Sequence, residues 1–336
     1  MKRKLSLILN RGGLFLLVPL TLWLVLRGAD LARLSAALRS FRAVWLLPAV
    51  LCMALFVVCE GCNIDRCLRL AGHPTTWPER LKYACAGFFY SSITPSASGG
   101  QPMQLFYMHG DRVPLPDGAA ALAAVLMNYQ IVTVACSVLG LALRYRAMRG
   151  MLGWLALGVA LNLGLLGAML AAALAPGFPR GAERFLRRLL RLFRLRRADQ
   201  TAAKAADGLT QFGDGMRRLA RSRRTILRLL LTTSVQILAL HSIPFFVYRG
   251  FGLTHAGWPE IFCLQSVLYV SVSALPLPGA MGATEGGFWL LFRTMYPAAL
   301  LRPAILVTRG VSFYLPLLAT GLALAALHLK KRTAAG

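Results

Sequence analysis

Apolar residues along this chain collect into long runs instead of alternating with polar ones. The runs cover Gly13–Leu26, Ala43–Cys59, Gly118–Leu143, Met151–Leu174, Ile226–Tyr248, Ile261–Leu275, Phe288–Leu301 and Ala304–Leu327. A bilayer core needs about 20 apolar residues in a helix, and several of these runs approach or exceed that length. Two further stretches are amphipathic. Asp30–Arg42 repeats Leu31, Leu34, Ala37 and Leu38 at helical spacing, and Ala182–Arg197 sets Leu186, Leu189, Leu190 and Phe193 on one face among arginines. Both predict helices lying along a membrane surface. The pattern predicts an all-α polytopic membrane protein with about seven to nine hydrophobic segments. It divides into a first membrane half (1–175), a basic section (176–225) and a second membrane half (226–336).

Two interruptions stand out against that background. Gly87–Pro102 is rich in glycine, proline and hydroxyl residues, and it splits apolar sequence into pieces too short to cross alone. Pro276–Gly287 does the same in the other half. Ordinary membrane helices satisfy their own backbone, so loosened backbone at membrane depth must be buried in protein or line a wet cavity. Paired interruptions in two halves point to a transport site. The spacing therefore predicts two re-entrant or broken helices, near 87–105 and 276–287, in pseudo-repeated halves that meet at the breaks.

The candidate chemistry lies in these breaks. Ser91, Ser92, Thr94, Ser96 and Ser98 offer hydroxyls, and Gln101 offers an amide. Gly99 and Gly100 let backbone N–H groups approach an anion such as phosphate. The same small residues also suit tight packing of two re-entrant tips. In the second break, Gly282, Thr284 and Glu285 form the corresponding set. Glu285 is the only acid after Glu260, and an acid at membrane depth needs a partner. Arg309 and Arg293 are the candidates. Three roles stay open for Glu285: binding a cationic head group, carrying a proton, or forming a structural ion pair with Arg309. Glu60, Asn63 and Arg66 make a second polar cluster, which interfacial anchoring at the end of a span explains. His241 reads as a packed, hydrogen-bonded histidine. Trp77, Trp154 and Trp258 read as interface anchors.

The net charge of +26 changes the picture only through its location. Between Arg180 and Arg228 there are 15 Lys or Arg against four acids. That excess marks the cytoplasmic side and contact with anionic lipid, and no base-reading motif accompanies it, so no nucleic-acid partner is expected. The Arg144–Arg149 loop and the longer basic section flank a single span and so face opposite sides; the longer cluster is placed inside. Met1-Lys2-Arg3-Lys4 likewise puts the N-terminus in the cytoplasm, ahead of an uncleaved first span rather than a signal peptide. Of the seven cysteines, Cys59, Cys62 and Cys67 are closely spaced but have no evident fourth ligand, and they read as small packing residues. No metal site, cofactor motif or catalytic constellation is expected, and the glycines of the second break do not fit a dinucleotide loop.

With both breaks in view, the chain resembles the lysylphosphatidylglycerol synthase transmembrane family, also called flippase-like. The resemblance rests on Gly87-Phe88-Phe89, on Ile93-Thr94-Pro95 leading to Gly99-Gly100-Gln101-Pro102, on Gln104 and Tyr107-Met108, and on Pro276, Pro278, Gly279, Gly282, Glu285 and Gly286. Full-length members join this membrane domain to a soluble domain that transfers lysine from aminoacyl-tRNA to phosphatidylglycerol. Their membrane domain is taken to move the modified lipid between leaflets. The chain ends at Gly336, soon after its last span, so the resemblance implies a stand-alone membrane domain.

The expectation is an ATP-independent, flippase-like protein of the bacterial inner membrane, acting on an anionic or aminoacylated phospholipid or a lipid-linked head group. A separate lipid-modifying enzyme as partner and a homo-oligomeric state stay open. The alternatives are a membrane enzyme and an accessory scaffold for lipid or cell-envelope glycan modification.

Overall fold

A computed structural model describes residues 31–148, 152–174, 184, 188, 198–273, 275 and 277–333. The expected first span, Gly13–Leu26, and most of the surface helix at Ala182–Arg197 lie outside the described residues. Among those described, the chain is helical with no strand. The elements are α1 (Leu31–Arg39), a 3₁₀ turn (Ala43–Trp45), α2 (Leu46–Leu70), α3 (Trp77–Ile93), a 3₁₀ turn (Pro95–Ala97) and α4 (Gly100–Gly110). They continue with α5 (Leu115–Met148), α6 (Leu152–Leu174), α7 (Ala198–Arg221), α8 (Arg223–Gly250), α9 (Trp258–Ser273) and a 3₁₀ turn (Pro278–Ala280). The chain closes with α10 (Ala283–Phe292), α11 (Ala298–Arg309), a π turn (Gly310–Tyr314) and α12 (Leu315–Thr333).

Four helical stretches are long and apolar enough to cross a membrane: Ala43–Leu70, Leu115–Arg144, Arg223–Gly250 and Ala298–Leu329. A shorter apolar stretch, Ala156–Ala168, lies in α6. Large apolar side chains such as Val44, Leu51, Leu318 and Leu322 point outward. On a helix of this composition, that exposed face belongs against lipid. The protein is an all-α polytopic membrane protein.

Polar side chains hold the interior together, as expected where the hydrophobic effect no longer separates helices from their solvent. Asn63 on α2 and Asn128 on α5 both donate from Nδ2 to the Thr233 hydroxyl on α8, at 3.0 and 2.6 Å. His241 on α8 meets Ser266 Oγ on α9 at 2.9 Å, and Ser137 on α5 donates to the Ser266 carbonyl at 2.6 Å. Small residues then let backbones touch: a Cβ on Gly158 of α6 would stand 2.7 Å from the Val270 carbonyl oxygen of α9.

Two spans differ from the sequence reading. The helix expected to end at Cys59 continues to Leu70. Its polar residues do not stop it, because Asn63 and Arg66 find partners on α8: Arg66 Nη1 donates to the Arg228 carbonyl at 3.2 Å and to the Thr232 hydroxyl. The segment expected at Phe288–Leu301 breaks between Phe292 and Ala298, just where Pro297 removes a backbone donor. From Ala298 onward the chain is one long helical stretch with a π turn inside it.

Candidate functional site

Each break has the same local construction. A helix ends, a 3₁₀ turn begins at a proline, and a second helix starts just after a glycine: Pro95–Ala97 then Gly99, and Pro278–Ala280 then Gly282. In both turns the last residue is an alanine in the left-handed region, Ala97 at φ 53° and Ala280 at φ 49°. A Cβ makes that conformation costly, so the surrounding packing must hold it. The two 3₁₀ turns lie against each other.

The first break is a tight helical hairpin. A Cβ added to Gly87 of α3 would collide with the Gln104 amide of α4, and one on Gly100 would collide with the Ser91 hydroxyl. Two of its hydroxyls bond back onto α3. Ser92 Oγ donates to the Phe88 carbonyl at 2.8 Å, and Thr94 Oγ1 donates to the Tyr90 carbonyl at 2.7 Å. Thr94 Oγ1 also accepts the Gly99 N–H at 2.8 Å.

The second break is organised by charge. Arg309 Nε donates to Glu285 Oε1 at 2.8 Å, and Arg309 Nη2 donates to the Gly279 carbonyl at 3.1 Å. Glu285 Oε2 accepts the Gly282 N–H at 2.6 Å, so the carboxylate caps the start of α10 while it holds the guanidinium. Gly282 sits at φ 79°, a conformation that only glycine adopts without strain. Both charged side chains are about nine-tenths buried. The Phe313 ring lies 4.4 Å beneath the guanidinium carbon and completes its surroundings.

Both breaks open on one cavity of about 370 Å³ between α2, α3, α4, α5, α8, α9, α10 and α11. Ser91, Ser92, Gln101, Thr284, Glu285 and Arg309 line it. Thr94, Ser98, Gly99, Gly100 and Gly282 are not in its wall; they shape the turns behind it. The spans supply what the sequence reading missed. Tyr129 on α5 donates to the Tyr269 hydroxyl on α9 at 2.8 Å, and both rings face the cavity beside Gln104 and Gln265. The Gln265 Oε1 and Thr308 Oγ1 atoms are buried without a hydrogen-bond partner among the described residues.

Glu60 also lies in this wall. It stands ten residues inside the end of α2, about 15 Å along the helix. Gln236 Nε2 donates to its Oε2 at 3.0 Å. The signal that would have placed it is periodicity: Met53, Phe56, Val57, Glu60 and Ile64 share one helical face.

Among the described residues, no group of three His, Cys, Asp or Glu side chains is arranged to hold a metal ion. The cavity is a largely apolar chamber with two carboxyl stations, the Glu285–Arg309 pair at the breaks and Glu60 on α2. No curated protein matches the chain. The family model described as the lysylphosphatidylglycerol synthase TM region matches residues 12–320, nearly the whole chain, and the protein belongs to that membrane family.

Proposed function

We propose that the protein carries the polar head group of a phospholipid, or of another lipid-linked group, between leaflets without ATP. The observation that carries this reading is the cavity itself. Two broken helices and the spans around them converge on one chamber of about 370 Å³, with charged and amide side chains set in apolar walls. A head group leaving water needs such contacts, because an unsatisfied polar group in hydrocarbon costs several kcal/mol. Phe56, Val57 and Leu268 in the same wall suit acyl chains or the glycerol region.

The Arg309 guanidinium and the Ser91 and Thr284 hydroxyls are the groups that would meet a phosphate. Membership of the family supports a role in lipid modification or translocation, and the shape of the site favours translocation. The arginine-rich junction at the end of α7 (Arg217, Arg218, Arg221) supports a cytoplasmic placement of that end in a bacterial inner membrane.

The test is a leaflet-translocation assay on the purified full chain in vesicles of phosphatidylethanolamine and phosphatidylglycerol. Labelled anionic, zwitterionic and aminoacylated lipids serve as reporters. Wild type should move at least one of them, and Thr284→Leu, which fills the chamber wall, should slow that movement at least tenfold. A folded wild-type protein that moves none of them would sink the proposal.

A further inference from the structure

The charges around the cavity do not cancel. Its wall holds two carboxylates, Glu60 and Glu285, and one guanidinium, Arg309. Glu285 is committed to Arg309 and to the Gly282 N–H. Glu60 forms no ion pair among the described residues; its hydrogen-bond donor is the Gln236 amide, with the Gln104 amide adjoining.

Tyr129 and Tyr269 face Glu60 across the chamber from α5 and α9, bonded to each other. His241 on α8 turns Nδ1 to Ser266, and its Nε2 has no partner among the described residues. The next cation along α2, Arg66, is turned away and held by Asn63 and by the Arg228 carbonyl of α8. Cys59 and Cys67 on α2 carry free thiols. Glu285 and Arg309 complete the set on the far wall.

A carboxylate this deep in a helical bundle with no cation beside it is not stable as a bare charge. Two things can neutralise it: a proton, or a cationic group brought by whatever enters the chamber. One carboxylate is balanced by one positive charge, so the two compete. Resting on the proposed carrier function, we infer that Glu60 is an exchange site at which a bound proton is given up when a lipid head group bearing a cationic ammonium binds. Glu60 as the carboxylic acid releases its proton to water in the chamber and becomes a carboxylate that pairs with the head-group ammonium. The reverse step takes a proton from water as the head group leaves. Occupancy of the chamber is thereby tied to proton movement, and a pH difference across the membrane biases the direction of lipid movement.

The experiment separates this from the carrier reading by measuring binding first. Purified full-length protein in a weakly buffered detergent solution receives short-chain phosphatidylethanolamine, and a pH-indicator dye reports proton release. Infrared difference spectra follow the carboxylic-acid carbonyl band in the same samples. Wild type should release a proton for each head group bound and lose a carboxylic-acid band, and Glu60→Gln should show neither change. Head-group binding by wild type without proton release overturns the exchange while leaving the carrier reading intact, and the wild-type measurement alone is enough to decide that point. In vesicles, wild type should move lipid several-fold faster with an imposed pH difference than without one. For Glu60→Gln that ratio should fall to unity; an unchanged ratio in the variant overturns the proposal.

Discussion

The two breaks share a backbone plan and differ in what fills it. The first is held by hydroxyls that bond their own helix and by glycines that let α3 and α4 touch. The second is held by an ion pair that reaches from α11 across to the turn and the start of α10. The first is therefore a local structure, stabilised by contacts among neighbours in the chain. The second depends on a contact between positions 24 residues apart. Local hydrogen bonds are worth about 1 kcal/mol each when exchanged against water, whereas a buried charge left alone costs far more. The breaks should fail in different ways.

The largest effect is expected from Arg309→Met. It strands the Glu285 carboxylate in a buried site, and the protein should lose about 3–5 kcal/mol of stability. Thermal unfolding in detergent measures this. The double variant Glu285→Gln/Arg309→Met should recover much of the loss, since partners in contact are not additive. An additive double variant would show that the pair contributes little to the second break.

Next in size is Gly100→Ala in the first break. Its new methyl meets the Ser91 hydroxyl, and such overpacking costs about 1–3 kcal/mol. Pairing it with Ser91→Ala or Ser91→Gly should relieve most of the cost, and melting temperatures of the series check this. If Ser91 changes nothing, the hairpin is not as close as described.

Thr94→Ala should cost about 1 kcal/mol, the usual net worth of a side-chain hydrogen bond such as the one it accepts from the Gly99 N–H. Thr94 closes the turn behind the chamber and is not in its wall. Lipid movement per folded molecule should therefore stay near the wild-type rate, a sharper sign of a local role than the stability change. The smallest effect should come from Ala97→Gly and Ala280→Gly. Both relieve a left-handed alanine, and each should leave stability unchanged or raise it by up to about 1 kcal/mol.

The breaks were legible in the sequence because proline, glycine and hydroxyl residues are conspicuous among apolar runs. Glu285 was legible as an acid in need of a partner for the same reason, since charges are scarce there, but the sequence left Arg309 and Arg293 both as candidates and only the fold chooses Arg309. Which glycines are steric and which are conformational was not readable, because that depends on Gln104 and Ser91 arriving from the other arm of the hairpin. Glu60 reads as interfacial because apolar composition drops after Cys59, and such a drop looks like the end of a span. Helical hydrogen bonding does not stop where hydrophobicity does; Asn63 and Arg66 carry α2 onward through bonds to α8. Tyr129, Gln236 and Gln265 were invisible one at a time, since each sits alone in an ordinary span and acquires meaning only from its neighbours across the chamber.

The π turn at Gly310–Tyr314 bears on how the second break is aimed. A π turn carries one residue more than an α turn of similar span, and each residue turns a helix by about 100°. Arg309 is the residue immediately before that surplus. Its angular phase is thus offset from the one an unbroken helix through α12 would impose. A one-residue deletion in the turn should therefore rotate α12 by about 100° relative to Arg309 without touching either partner of the ion pair.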